Sequence, residues 1–100
     1  FSRGWSGMRK LKKLNIGCGK FKKEGFINVD SDKRVHPDIV WNLNKFPYPF
    51  AEKTFDVIEG DHVLEHLQEP FEVMKELYRI AKDGGKIIIH SAFSGEKVVL

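Results

Sequence analysis

A second cysteine is missing from this 100-residue chain, where Cys18 stands alone. One thiol cannot close an internal disulfide or build a multi-thiolate metal centre, and it fits a reducing compartment. Also missing is any apolar run near the roughly 20 residues that span a bilayer. The start has no apolar signal core before a small-residue cleavage site. The expected location is therefore cytoplasmic, with no membrane partner. There is no internal repeat and no low-complexity segment. The length suits one small domain, not separate cofactor and substrate domains. What is present, 41% hydrophobic and 31% charged residues, can fill a core and is too mixed for a disordered chain.

Residues 1–10, which include "FSRGWSG" ahead of Met8, have no periodicity and read as a natural arm or an artificial remnant. The expected domain is 11–100. Within it, short β-branched or aromatic runs at residues 14–17, 26–30, 38–43, 54–60 and 85–93 predict five strands. The apolar run at 87–89 suits a strand covered on both faces. Asp61 is a candidate N-cap for a short helical piece, and Pro70 can open a longer helix because its missing N–H would be unsatisfied there anyway. Val73, Met74, Leu77, Ile80 and Ala81 share one face of that helix, Glu72, Lys75, Glu76, Arg79 and Lys82 lie outside, and Gly84 and Gly85 are expected to end it. Pro37, Pro47 and Pro49 fall between strands. Strands separated by crossovers predict an α/β fold: a doubly wound, Rossmann-like, mostly parallel sheet with helices on both faces.

In such a sheet ligands bind beyond the carboxyl ends of the strands, where the strand order reverses. The residues there are Gly17, Cys18 and Gly19 after the first strand, Asp30 and Ser31 after the second, Asn42 and Leu43 after the third, and Gly60 and Asp61 after the fourth. Glycines at 17 and 19 let the backbone turn sharply and approach a ligand. A carboxylate such as Asp30 can accept from both ribose hydroxyls, and an amide such as Asn42 can meet the edge of an adenine. The implied ligand is an adenine nucleoside. Taken singly each signal has a plain reading too: a tight turn for the glycines, and a cap for the segment beginning at Ser31 for Asp30. A dinucleotide fits poorly, since its fingerprint needs a third glycine and a regular helix aimed at the phosphates. Phe21 takes the place of that glycine, and residues 20–25 leave room for a turn or two of helix at most.

"LNIGCGKF", "INVD", "WNLNKFPYPFAEKTFDVI", "GDHVLEHL" and "KELYRIAKDGGKIII", in that order, resemble class I S-adenosylmethionine-dependent methyltransferases over about residues 11–93. They look most like a subgroup with a short first crossover and a "VLEH" element. The resemblance implies S-adenosylmethionine as cofactor. Gly17, Cys18 and Gly19 would then pack on its methionine part, Asp30 would bind ribose, Asn42 and Leu43 would flank adenine, and the backbone at Gly60 and Asp61 would lie near the amino acid end. Asn15 stands where the family has an acidic residue that orders the loop, and it joins the cofactor-binding set. The resemblance also implies seven strands, the last two an antiparallel pair. This chain is expected to stop after the fifth, as a fragment, a truncated product or a chain completed by a partner. The exposed sheet edge would then invite a second copy or a partner chain.

The catalytic residue is not legible. Methyl transfer from a sulfonium mainly requires donor and acceptor to be held in line, with a base only if the acceptor must lose a proton. "HVLEH", residues 62–66, also matches the H-x-x-E-H zinc pattern, but the further ligand is missing and no metal is expected. His62 could face the site mouth, with Glu65 and His66 making structural bonds. Cys18 lacks an indicated base, and His36 and His90 carry no signal. Arg9, Lys10, Lys12, Lys13, Lys20, Lys22 and Lys23 read first as a solvated face, because no aromatic pattern is interleaved with them. As an electropositive rim they would allow an anionic acceptor such as a nucleic acid or phosphorylated sugar. The acceptor is unidentified. A non-catalytic binding or interaction module with the same fold is the alternative to an enzyme.

Overall fold

The computed structural model describes residues 11–61, 63, 66–90 and 97–99. Their elements are β1 (Lys13–Ile16), β2 (Ile27–Asp30), a 3-10 turn (Lys33–Val35), β3 (Ile39–Val40), β4 (Phe55–Asp61), α1 (Pro70–Ile80), β5 (Ala81–His90) and β6 (Lys97–Val99). One sheet runs in the order β3-β2-β1-β4-β5-β6. β1 to β5 are parallel, as expected of a doubly wound fold, and β6 lies antiparallel on β5 with Ile89 opposite Val98. That sixth strand was not anticipated; it covers the β5 edge at residues 88–90, the edge expected to lie open. The order reverses between β1 and β4, which places a crevice at their carboxyl ends.

Alternation along the strands separates two faces. Leu14, Ile16, Val29, Ile58, Ile87 and Ile89 point to the face where α1 lies, and with Val73, Leu77 and Ile80 they form the core. On the opposite face the register aligns Asn28, Asn15 and Glu59 in one row, and Asp61 beside His90. A sheet buried on both sides would carry aliphatic side chains there. This one carries a polar row.

α1 opens at Pro70 as predicted and buries the expected stripe, Met74 packing at its margin and Tyr78 outside it. It ends earlier than the glycines suggested. The Arg79 and Ile80 carbonyls accept from Lys53 N and Thr54 N, which satisfies the last turn, and Ala81 is already extended and pairs with Phe55. Lys82 to Gly85 then form an irregularity inside β5, with Gly84 at φ +79. Two further expectations change. β4 runs one residue further than expected, to Asp61, and most of the short helical piece expected after it lies outside the described residues, while β3 is only two residues long because the chain after Trp41 leaves the ladder to form an Asn-based turn.

The β1–β2 crossover, residues 17–26, contains no helix and is tied down by side chains instead. Asn28, buried in β2, accepts from Lys23 N and donates to the Lys23 and Phe26 carbonyls, while Asp38 receives its backbone N–H at 2.7 Å. Asn15 donates to Asn28 Oδ1 at 2.9 Å and reaches the Phe21 carbonyl at 3.5 Å. Two buried amides thus close the loop from beneath, and each finds the partners that burial demands.

Candidate functional site

The predicted residues converge at the carboxyl end of the sheet. Gly17 takes φ +63, and a Cβ there would stand 2.5 Å from Val63 Cγ2. Gly60 is equally confined, 2.9 Å from Ile16 Cγ1 and 3.0 Å from Val63 Cγ1. Both glycines therefore make room for Val63, which plugs the gap between the β1 loop and the end of β4. Gly19 differs: at φ +53 its missing Cβ faces no atom within 4 Å, so its smallness leaves space open toward the hollow.

Asp30 organises the loop. Its Oδ2 accepts from Gly19 N at 2.8 Å and its Oδ1 from Asp32 N at 2.8 Å. Each carboxylate oxygen retains a second lone pair for a ligand hydroxyl. Cys18 is 5% exposed. Burial, with the Asp30 charge next in weight, pushes its thiol up from the ordinary 9.0, so it stays protonated and is a poor nucleophile.

Two hollows adjoin at Gly17. The smaller, about 210 Å³, is lined by Asp30, Ser31, Asn42, Leu43, Val63 and His66 among others. The larger, about 390 Å³, is lined by Asn15, Gly17, Cys18, Gly19, Lys20, Phe21, Asp61 and His90. The expected set is thus brought together, except that Gly60 lies beneath Val63 and lines neither hollow. The wall of the smaller hollow is braced from the helix. Glu76, paired with Arg79, accepts from Tyr48 N at 2.7 Å, and Tyr48 Oη donates to the Leu43 carbonyl at 2.9 Å. Asn42 Oδ1 accepts from Asn44 N, and Asn44 Oδ1 from Gln68 N, so the third-strand turn is stitched to the segment before α1.

Of the lysines near the loop, Lys23 bridges Glu59 and Asp61, and Lys22 donates to the His36 carbonyl. Arg9 and Lys10 lie outside the described residues, as do His62 and Glu65 of the zinc-like motif. Among the described residues no three His, Cys, Asp or Glu side chains gather as a metal site, and no helix is long and apolar enough to cross a membrane. Sequence reasoning gave His90 no role and His66 only structural bonds. In the structure His90, at the end of β5, lines the larger hollow and His66 the smaller.

A family model described as "Methyltransferase domain" matches residues 23–89. A demethylmenaquinone methyltransferase of Anoxybacillus flavithermus is 35% identical over 75 residues, which cover 75% of this chain and 28% of that protein. Among solved structures, an S-adenosylmethionine-dependent methyltransferase from Mesorhizobium loti superposes with a TM-score of 0.69 at 16% identity, over 81% of this chain and 46% of that one. The [4+2]-cyclase SpnF superposes with a TM-score of 0.67 at 16% identity, over 80% and 38%. The chain therefore spans less than half the length of these proteins, and the two structures share its fold while differing in reaction. That family model takes in more than half of the chain, from the end of the first crossover to the end of β5, and the chain belongs to the methyltransferase-domain family.

Proposed function

We propose that this chain forms the donor-binding part of an S-adenosylmethionine-dependent methyltransferase. The observation that carries the reading is the pair of hollows meeting at Gly17, above a crossover that contains no helix. A dinucleotide would need a helix N-terminus to neutralise its pyrophosphate. A nucleoside joined to an amino acid through sulfur needs none. The smaller hollow suits the adenosine half, with Asp30 accepting from ribose, Ser31 beside it, and Asn42 and Leu43 at the base. Gly17, Cys18 and Gly19 suit the methionine half, Gly19 leaving the space a side chain would fill. Asn15 acts from below by holding the loop, and Gly60 by admitting Val63, while Asp61 borders the methionine side.

When bound, the cofactor supplies a methyl group on a sulfonium that is already activated for displacement. The protein's own contribution is to hold it in place and to line up an acceptor. The acceptor approaches through the larger hollow, where Lys20 favours a compound with negative charge. The relatives named for demethylmenaquinone act on a ring compound, in keeping with the exposed Phe21 at that rim.

The test is formation of S-adenosylhomocysteine from S-adenosylmethionine by the chain in the presence of hydroxylated ring compounds, compared with Asp30→Ala. Acceptor-dependent product that disappears in the variant supports the reading. Cofactor binding with no product for any acceptor would favour the non-catalytic binding module.

A further inference from the structure

The basic run "RKLKK", residues 9–13, is not used by the donor site. Its described lysines, Lys12 and Lys13, stand just before β1 and at its first residue, the opposite end of that strand from Gly17. A hollow of about 420 Å³ opens there, between the amino ends of β1 and β2, lined by Leu11, Lys12, Lys13, Gly25, Phe26 and Ile27. It is larger than either hollow at Gly17 and falls in the size range of small-molecule sites. We propose that it is a second ligand site, separate from the donor crevice, and that it takes a small free amphiphilic anion: an apolar body ending in one carboxylate.

The apolar part of the site is set by three side chains. Phe26 and Ile27 are partly buried, and Leu11 is 47% exposed, a large aliphatic group kept in water at the edge of the hollow. Gly25 forms the wall between them and the crossover. Its φ is +84, and a Cβ built there would meet no atom within 4 Å. The packing of the chain therefore does not require the gap that this glycine leaves at the mouth.

The charge is one-sided. No acidic residue lines the hollow, and among the described residues neither Lys12 nor Lys13 forms a salt bridge through its ammonium group. Asp56 accepts from the backbone N–H of Lys12 at 2.9 Å, and its carboxylate is shared with Lys82 Nζ at 3.4 Å. Lys13 Nζ stands 5.4 Å from the centroid of the Phe26 ring, which holds this cation at the wall. Lys23 Nζ lies 5.7 Å from the same ring but is paired with Glu59. Residues 1–10 contain Arg3, Arg9 and Lys10 and no acidic side chain, so the arm adds positive charge and does not neutralise the lysines. A carboxylate seated between Lys12 and Lys13, with its apolar body on Leu11, Phe26 and Ile27, complements both features. A nucleic acid strand fits less well, since it is held by successive rings along a groove and this hollow has one ring.

The test is an NMR titration of the whole chain with sodium octanoate, with octanol as the uncharged probe of the same length. Octanoate is expected to move the Gly25, Phe26 and Ile27 backbone signals and to bind about two- to fivefold more tightly than octanol, the worth of a partly exposed ion pair. That preference should fade in roughly 0.5 M salt. Lys12→Gln combined with Lys13→Gln should bring the two probes level, whereas Lys12→Arg combined with Lys13→Arg should keep the preference. Gly25→Asn retains a residue that accepts positive φ but fills the mouth, and should weaken both probes about tenfold with an unchanged circular dichroism spectrum. Unmoved signals at residues 25–27, equal binding of the two probes, or a preference that survives the paired glutamines overturns the proposal. Shifts produced by phosphatidylglycerol vesicles and not by free octanoate would assign the lysines to a membrane surface and overturn it too. Octanoate and S-adenosylhomocysteine are expected to bind together, and displacement of one by the other would put the probe in the donor crevice and contradict a separate site.

Discussion

Gly17→Ala tests whether this glycine is required by packing, by backbone conformation, or by both. At φ +63 an alanine pays the left-handed penalty of about 1–2 kcal/mol. Its Cβ would also stand 2.5 Å from Val63 Cγ2 and 3.2 Å from Val63 Cβ, and Val63 is buried and cannot swing into solvent. Overpacking of that kind adds about 1–3 kcal/mol. The expected loss, about 2–5 kcal/mol, is a large part of the stability of a domain this size. Gly19→Ala is the internal control, because it has the same backbone sign, φ +53, and no atom within 4 Å. It should cost only the conformational part, about 1–2 kcal/mol. Urea denaturation followed by circular dichroism, on both variants and on Gly17→Ala combined with Val63→Ala, measures the difference. Truncating Val63 removes the 2.5 Å contact, so the two substitutions should couple by about 1 kcal/mol or more. Equal losses at positions 17 and 19, with no coupling to Val63, would refute the packing argument.

Gly19→Ala should conversely weaken S-adenosylhomocysteine about tenfold or more while leaving the fold intact, because its methyl group enters the hollow. Glu76 makes its hydrogen bonds to Arg79 first, and also accepts from Tyr48 N, so its carboxyl is held below the ordinary 4.5. A depressed carboxylate contributes stability that is complete above 4.5 and is lost as pH falls through the lowered folded value. Glu76→Gln should therefore flatten the acid limb of the stability-versus-pH curve and cost about 1–2 kcal/mol at neutral pH. Cys18, its thiol raised by burial, should react with iodoacetamide at neutral pH about tenfold more slowly than free cysteine, and Cys18→Ser should retain ligand binding. Asn15→Ala removes the amide that joins Asn28 to the Phe21 carbonyl, and should speed hydrogen exchange at Lys23 N before it lowers global stability.

What was legible in the sequence were features with a local cause. Alternating apolar runs and the stripe on α1 follow from burial on one face, and Pro70 from the chemistry of a helix start. The ends of β1 and β2 could be read because the first is followed by a glycine and the second stops at a carboxylate, which put Gly17 and Asp30 at the crevice, whereas β3 stops at Val40, short of the expected residue 43. Chain length limited the first crossover to a turn or two of helix at most, and the structure holds none there. What escaped depended on partners distant in sequence. The end of α1 is set by Lys53 N and Thr54 N, and not by Gly84. The antiparallel β6 is defined by its pairing with β5. Gly17 looked like a ligand-facing glycine, yet Val63 is what an added Cβ there would meet, and at Gly60 it would meet Ile16 and Val63. His90 gave no signal because nothing near it in sequence indicates that Asp61 is its neighbour in the sheet.

The central claim is that the two hollows at Gly17 hold an adenosyl ligand that carries no phosphate. Calorimetric titration of S-adenosylhomocysteine into the folded chain, in the presence and absence of a nicotinamide dinucleotide, tests it most directly. The account predicts saturable binding that the dinucleotide leaves unchanged. Absence of binding to the folded chain, or displacement by the dinucleotide, would contradict it.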